Sequence, residues 1–142
     1  MYNFGKKQKE NTSKLEYYNQ VTEKYELQPY LTLQMNRKYV NATCKLRISA
    51  HDLMIEKGRY TKIKREDRLC LCCKKIEDEK HFLDECILYT VHRDDILKTR
   101  VTSDNIDICN SLSEMIIQKK NMKQIAKFIF ESFEIRCSKV PT

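Results

Sequence analysis

Apolar positions recur at spacings of three and four through most of this chain, and strict alternation is rare, so the pattern predicts helices. The last stretch reads most clearly: Met122, Ile125, Ala126, Ile129, Phe130 and Phe133 form one stripe, with Lys119, Lys120, Lys123 and Lys127 elsewhere on the wheel. That stripe reads as a core face, with a partner-binding helix as the alternative. A helix is expected over residues 13–26, with Ser13 and Glu16 as a capping box and Leu15, Tyr18 and Tyr25 as its apolar side. Pro29 then separates it from the next element. A longer helix is expected from Asn36 to Lys57, carrying Tyr39, Thr43, Leu46, Ala50, Leu53 and Met54, with Gly58 as its C-terminal cap.

The period is lost between Arg59 and Leu69 and resumes near Glu79. Phe82, Leu83, Cys86, Tyr89, Ile96 and Leu97 predict a helix to about Lys98. The polar run Thr102-Ser103-Asp104-Asn105 offers caps for a further helix containing Ile108, Leu112, Met115 and Ile116. Two glycines and two prolines in 142 residues leave few breaks and disfavour a turn-rich sheet. The chain is the size of one small domain. It divides into an N-terminal helical segment or linker (1–35), a middle unit (36–100) and C-terminal helices packing on the same core (101–142).

The middle unit holds the chemistry. Cys70, Cys73, His81 and Cys86 form a C-x2-C-x7-H-x4-C array, four ligands of the kind that surround one tetrahedral Zn²⁺. The expectation is one structural zinc, because four protein ligands leave no position for a catalytic water; buried unligated thiols and thiol–disulfide chemistry are the alternatives. Cys72 can replace Cys70 or Cys73, but the two-residue spacing gives the usual knuckle. The segments flanking Cys70–Cys73 read as a short β-hairpin. His81 and Cys86 lie roughly 140° apart on an ideal helix, which predicts His81 at a helix start. The expected fold is therefore mainly α, a small helical domain with a zinc knuckle of short hairpin plus helix inserted between helices.

Seven cysteines, an odd number, fit metal ligation in a reducing compartment better than a disulfide framework. With no apolar leader and no apolar stretch of spanning length, the expectation is an intracellular chain, nuclear or cytoplasmic, without a membrane partner. The sequons at Asn11 and Asn41 are then chance matches. Cys44, Cys109 and Cys137 read as buried thiols, His92 as a solvated helix residue, and His51 as a packed side chain, or else one that meets a phosphate or completes a polar network.

Charge adds a partner. The net charge is +7, and residues 37–75 carry 12 basic and 4 acidic side chains, followed by an acidic block from Glu77 to Asp95. Arg59, Lys62, Lys64, Arg65 and Arg68 fall in the non-periodic loop leading into Cys70, with Tyr60 beside them as a stacking residue, and suggest contacts to phosphates. An ordinary solvated surface is the alternative. No nucleophile motif, phosphate loop or paired-carboxylate site is present.

The runs Leu46-Arg47-Ile48-Ser49-Ala50-His51-Asp52-Leu53 and Ile55-Glu56-Lys57-Gly58-Arg59-Tyr60, then Arg68-Leu69-Cys70 with Cys73, and Ile76-Glu77-Asp78-Glu79-Lys80-His81-Phe82-Leu83 with Cys86 and Tyr89, resemble the region after the polymerase domain in reverse transcriptases of non-LTR (LINE-type) retrotransposons. The likeness covers residues 25–98 and, more loosely, Ala126 to Arg136. It implies that Cys70, Cys73, His81 and Cys86 are the zinc ligands, and that the partner is RNA or DNA gripped by its backbone, or the polymerase part of such a protein. With no palm motif of paired aspartates and no endonuclease segment, the chain is expected to be no enzyme but a detached accessory piece. A structural or protein-interaction remnant is the other function the resemblance allows.

Overall fold

The computed structural model describes residues 16–22, 28–98, 111–119 and 121–139. The described part is mainly helical: α1 (Glu16–Val21), α2 (Pro29–Thr32), α3 (Arg37–Arg47), α4 (Met54–Tyr60), α5 (Thr90–Lys98), α6 (Leu112–Ile117) and α7 (Met122–Lys139). Short 3₁₀ turns cover Arg65–Asp67 and Ile87–Tyr89, and one wide turn covers His81–Glu85. Among the described residues pairing of extended backbone is confined to one antiparallel bridge, Leu69 to Ile76, so no two-stranded hairpin is present there. No helix among them is long and apolar enough to cross a membrane.

α7 is the spine, and it packs most extensively against α3. Met122, Ile125, Ala126 and Ile129 of the predicted stripe are buried, and Phe128 and Ser132 join them, while Phe130 and Phe133 are half-buried. Phe130 meets Tyr39 of α3 edge-on at 5.5 Å between ring centroids. Phe82 sits at the centre of an aromatic cluster, 4.5 Å from Phe133 and 5.0 Å from Tyr89. Apolar area removed from water at about 25 cal/mol per Å² makes this cluster a main source of cohesion.

The helix expected from Asn36 to Lys57 is two helices. Asn36 caps α3, its side-chain oxygen accepting from Lys38 N–H at 3.1 Å. The chain leaves α3 through a Schellman motif: Ala50 N–H donates to Lys45 O at 2.8 Å and Ser49 N–H to Leu46 O at 3.3 Å, with Ser49 at φ 58°. Ala50, expected on the apolar face, is exposed, whereas Leu46 and Leu53 are both buried on opposite sides of the break. Gly58 is likewise not a cap. It lies inside α4, where a Cβ would stand 2.5 Å from Cγ of Arg68, so glycine is needed for close approach. α4 ends at Tyr60 and is closed beyond it by Lys62, φ 59°, with Ile63 N–H donating to Gly58 O at 2.8 Å.

The other expectations fare unevenly. α1 buries Tyr17, with Tyr18 half-buried; residues 13–15 and 23–26 of that expected helix lie outside the described residues. Pro29 opens α2, where its missing N–H costs nothing. The helix expected from Glu79 to Lys98 is interrupted at Cys86, which is extended at φ −63°, ψ 125°. α6 begins at the Ser111 cap, whose Oγ accepts from Glu114 N–H at 3.1 Å; the run 102–105, Ile108 and Cys109 lie outside the described residues.

Candidate metal centre

Cys70, Cys73, His81 and Cys86 converge, one potential ligand atom from each lying within 4.8 Å of all the others. The sulfurs of Cys70 and Cys73 stand 3.9 and 3.8 Å from that of Cys86. Cys70, His81 and Cys86 are buried and Cys73 is half-buried. This Cys₃His cluster can hold a metal ion.

Local backbone chemistry builds each half. On the first, Cys70 N–H donates to Lys75 O at 2.7 Å and Lys74 N–H to Cys70 O at 2.9 Å, with Lys74 at φ 57° closing the turn. That turn faces Cys70 and Cys73 inward and leaves Leu71 and Cys72 exposed. On the second half, the backbone closes its ring over one residue more than an α-helix: Cys86 N–H donates to His81 O at 2.8 Å. Residues five apart then stack on one side instead of diverging, so His81 and Cys86 face the same point. Asp78 fixes the entry to this turn by accepting from His81 N–H at 2.8 Å.

The electrostatics favour a cation. Burial pushes the Cys86 thiol up to about 12, with Cys70 and Cys73 adding to the rise and a hydrogen bond with the Leu88 backbone opposing it. Negative charge on sulfurs this close is offset by a positive ion shared among them. Both ring nitrogens of His81 are buried without a hydrogen-bond partner. Nδ1 lies 3.5 Å from the Glu85 carboxylate, too long for a good hydrogen bond but in the place of an outer carboxylate that orients a ligand imidazole. An imidazole with both nitrogens orphaned in the interior is costly, and a metal bond would satisfy one of them.

Glu77 ties this centre to the rest of the fold. Its carboxylate accepts Nε and Nη2 of Arg136 at 2.7 and 3.0 Å, and also Met54 N–H at 2.9 Å, capping α4. Its backbone joins Arg68 and Ile55, at 2.9 and 3.0 Å. Burial lowers the Arg136 pKa, but its hydrogen bonds to Glu77 and the Glu77 charge outweigh this and the net shift is upward. Glu79 does similar work beside it, accepting from Ser49 Oγ at 3.1 Å and pairing with His51 Nε2 at 2.9 Å. Leu53 N–H donates to His51 Nδ1 at 3.3 Å, so His51 is a member of a polar network, carrying its proton on Nε2.

The basic loop is dispersed in role. Arg68 turns inward, donating Nε to Ile63 O and Nη1 to Ile55 O, both at 3.0 Å. Arg59 pairs with Glu56 at 3.1 Å and lies over the Tyr60 ring, 4.7 Å from its centroid. Arg65 pairs with Glu16 at 2.8 Å, both side chains nearly half exposed. Lys62, Lys64 and Tyr60 are exposed.

Cys44 is half-buried, its thiol donating to Tyr30 Oη at 3.8 Å, and Cys137 is exposed, not buried as expected. His92 is half-buried. The motif-based reading gives no structural role to Arg93, Glu77, Arg136 or Glu85. The one available signal was the His-x4-Cys spacing itself, which an α-helix cannot serve and a wide turn can. Comparison of the chain with protein-family models, curated proteins and solved structures finds no match to any of them.

Proposed function

We propose that the Cys70–Cys73–His81–Cys86 cluster holds one structural Zn²⁺, and that the chain is a zinc-stabilised nucleic-acid-binding accessory module, as its resemblance to the region after the polymerase of non-LTR reverse transcriptases implies. The observation that carries the metal is the sulfur spacing. A tetrahedral ion with bonds to sulfur of about 2.3 Å holds its sulfurs about 3.8 Å apart, and the thiols stand at 3.8 and 3.9 Å. Three thiolates with one imidazole select zinc over hard cations. With every position taken by protein, the ion would act as a crosslink between the knuckle turn and the His81–Cys86 turn.

Support for nucleic acid is the excess of basic side chains between Arg37 and Lys75. Lys62 and Lys64 are the best phosphate contacts, with Tyr60, 68% exposed, as a stacking surface beneath the Arg59 guanidinium. Exposed ion pairs are worth about 0–1 kcal/mol, so Arg65 exchanges the Glu16 carboxylate for a phosphate at little cost, whereas Arg59 is held by the buried Glu56. Arg68 drops out of the contact set, because its two carbonyl bonds hold the loop. Binding of the metal-loaded chain to labelled RNA, single-stranded DNA and duplex DNA across a salt series tests this. Logarithmic affinity should fall linearly with log salt, and Lys62→Ala with Lys64→Ala should reduce the slope by about one per lysine. Affinity that ignores salt and both substitutions would remove the nucleic-acid reading.

One observation favours a protein-interaction remnant instead. Leu71, Ile87 and Val91 are 55%, 69% and 73% exposed, and two of them adjoin the ligands Cys70 and Cys86. Under that reading the loaded chain binds no nucleic acid at any salt.

A further inference from the structure

The turn that presents His81 and Cys86 has a structural problem that its own backbone does not solve. The chain breaks from helix at Cys86, so the carbonyls of Phe82 and Leu83 lose the amide donors a continuing helix would supply, while Cys86 O accepts a long bond from Tyr89 N–H at 3.4 Å. One side chain reaches all three. Arg93, from the first turns of α5, donates Nε to Leu83 O at 2.5 Å, and Nη2 to Cys86 O at 3.1 Å and Phe82 O at 3.4 Å. It does so from the interior, 7% exposed.

A guanidinium is costly to bury, and a helix end can usually be capped by something cheaper. Two features of this site make a buried arginine suitable. Its donors form a rigid planar fork that reaches several acceptors in fixed relation, which a lysine ammonium does not. Its charge is permanent, and a divalent ion held by three thiolates and a neutral imidazole leaves one net negative charge in the interior. We propose that Arg93 is a positioning residue of the metal centre: it locks the wide turn so that His81 and Cys86 face one point, and it offsets the excess negative charge of the thiolate set. The inference rests on the metal reading above. It adds that this spacing of histidine and cysteine works only with a cation seven residues beyond the last ligand.

The test uses the full chain with Arg93→Met and Arg93→Lys, loaded with Co²⁺ and with Zn²⁺ in competition with a chelator. Ile125→Ala, a cavity in the first turns of α7, serves as a control that weakens the fold without touching a residue assigned to the centre. Loss of an outer partner costs about 10–100-fold in metal affinity. Arg93→Met should lose affinity in that range, Arg93→Lys less, and both should alter the thiolate-to-cobalt charge-transfer absorption. Ile125→Ala should leave that absorption unchanged. Arg93 variants with wild-type affinity and spectrum overturn the inference, and so does weaker binding with an unchanged spectrum, since that is the signature of a merely destabilised fold. Should Arg93→Met fail to fold, Arg93→Lys decides alone on the same two readouts. A wild-type chain that takes up neither ion overturns the metal reading together with this one, whereas a tetrahedral thiolate spectrum shared by wild type and variants overturns this one only.

Discussion

Replacing Arg136 with Met should unfold the protein more readily than any surface change, because it strands a buried carboxylate at a three-way junction. Glu77 and Arg136 are each 7% exposed at the side chain and make two charged hydrogen bonds. With Arg136 gone, Glu77 keeps a single side-chain donor, Met54 N–H. Removing one partner of such a pair costs about 3–5 kcal/mol, most of it the penalty of the charge left behind. For a chain of this size about 1 kcal/mol moves the melting temperature by roughly 3–4 °C, so the midpoint should drop by roughly 10–20 °C. Glu77→Gln keeps the shape and the cap on α4 while removing the charge, and should also destabilise, by leaving Arg136 unpaired.

The double variant, Glu77→Gln with Arg136→Met, should be less damaged than the sum of the singles by about 1–3 kcal/mol. Urea unfolding of the metal-loaded proteins, followed by circular dichroism, gives all three numbers. A loss below about 1 kcal/mol for Arg136→Met, or strict additivity of the pair, would refute the junction.

Cys86→Ser should abolish stoichiometric metal binding while Cys72→Ser leaves it intact, read by metal analysis after gel filtration. Cys72 is exposed, whereas Cys86 is buried against two other thiols. Gly58→Ala should destabilise by about 1–2 kcal/mol in urea, since displacing the pinned Arg68 side chain costs more than the helix gains from alanine. A neutral or stabilising result would show that Arg68 has room to move. Burial raises the Tyr17 phenol above its ordinary value of 10.0, helped by Glu79 and Asp84 and opposed by Arg47. The folded state then holds a proton that the unfolded state releases, so stability is full below about pH 10 and falls as pH rises beyond it. Absorbance of tyrosinate against pH, alongside circular dichroism, should find Tyr17 ionising only as the fold is lost.

How much of this was legible in the residues depends on where the backbone keeps to its regular forms. The α7 stripe was readable because burial follows the helical period directly. The long helix through Ala50 was misread because apolar residues continue at helical spacing across a break. The residue that makes the break is Ser49, held in a left-handed conformation by its motif and by Glu79, with no glycine to announce it. Glycine misled in the other direction at Gly58, which serves close packing rather than an end. The four residues that converge at the cluster were recognisable from residue type and spacing. Their support was not, since Glu77, Arg93 and Arg136 act through contacts distant in the chain that no local pattern encodes. Half the basic loop illustrates the same limit: composition counts charges, but only the fold decides that Arg68 spends its donors on backbone carbonyls.

The central claim is that a bound metal holds the Cys70–Cys73 turn against the His81–Cys86 turn and so organises the fold. Metal analysis of the purified chain, followed by circular dichroism during chelation, tests it most directly. The account expects one zinc per chain, and loss of the cooperative fold when the zinc is removed, restored on adding it back. No bound metal, with the fold unchanged in excess chelator, would contradict it.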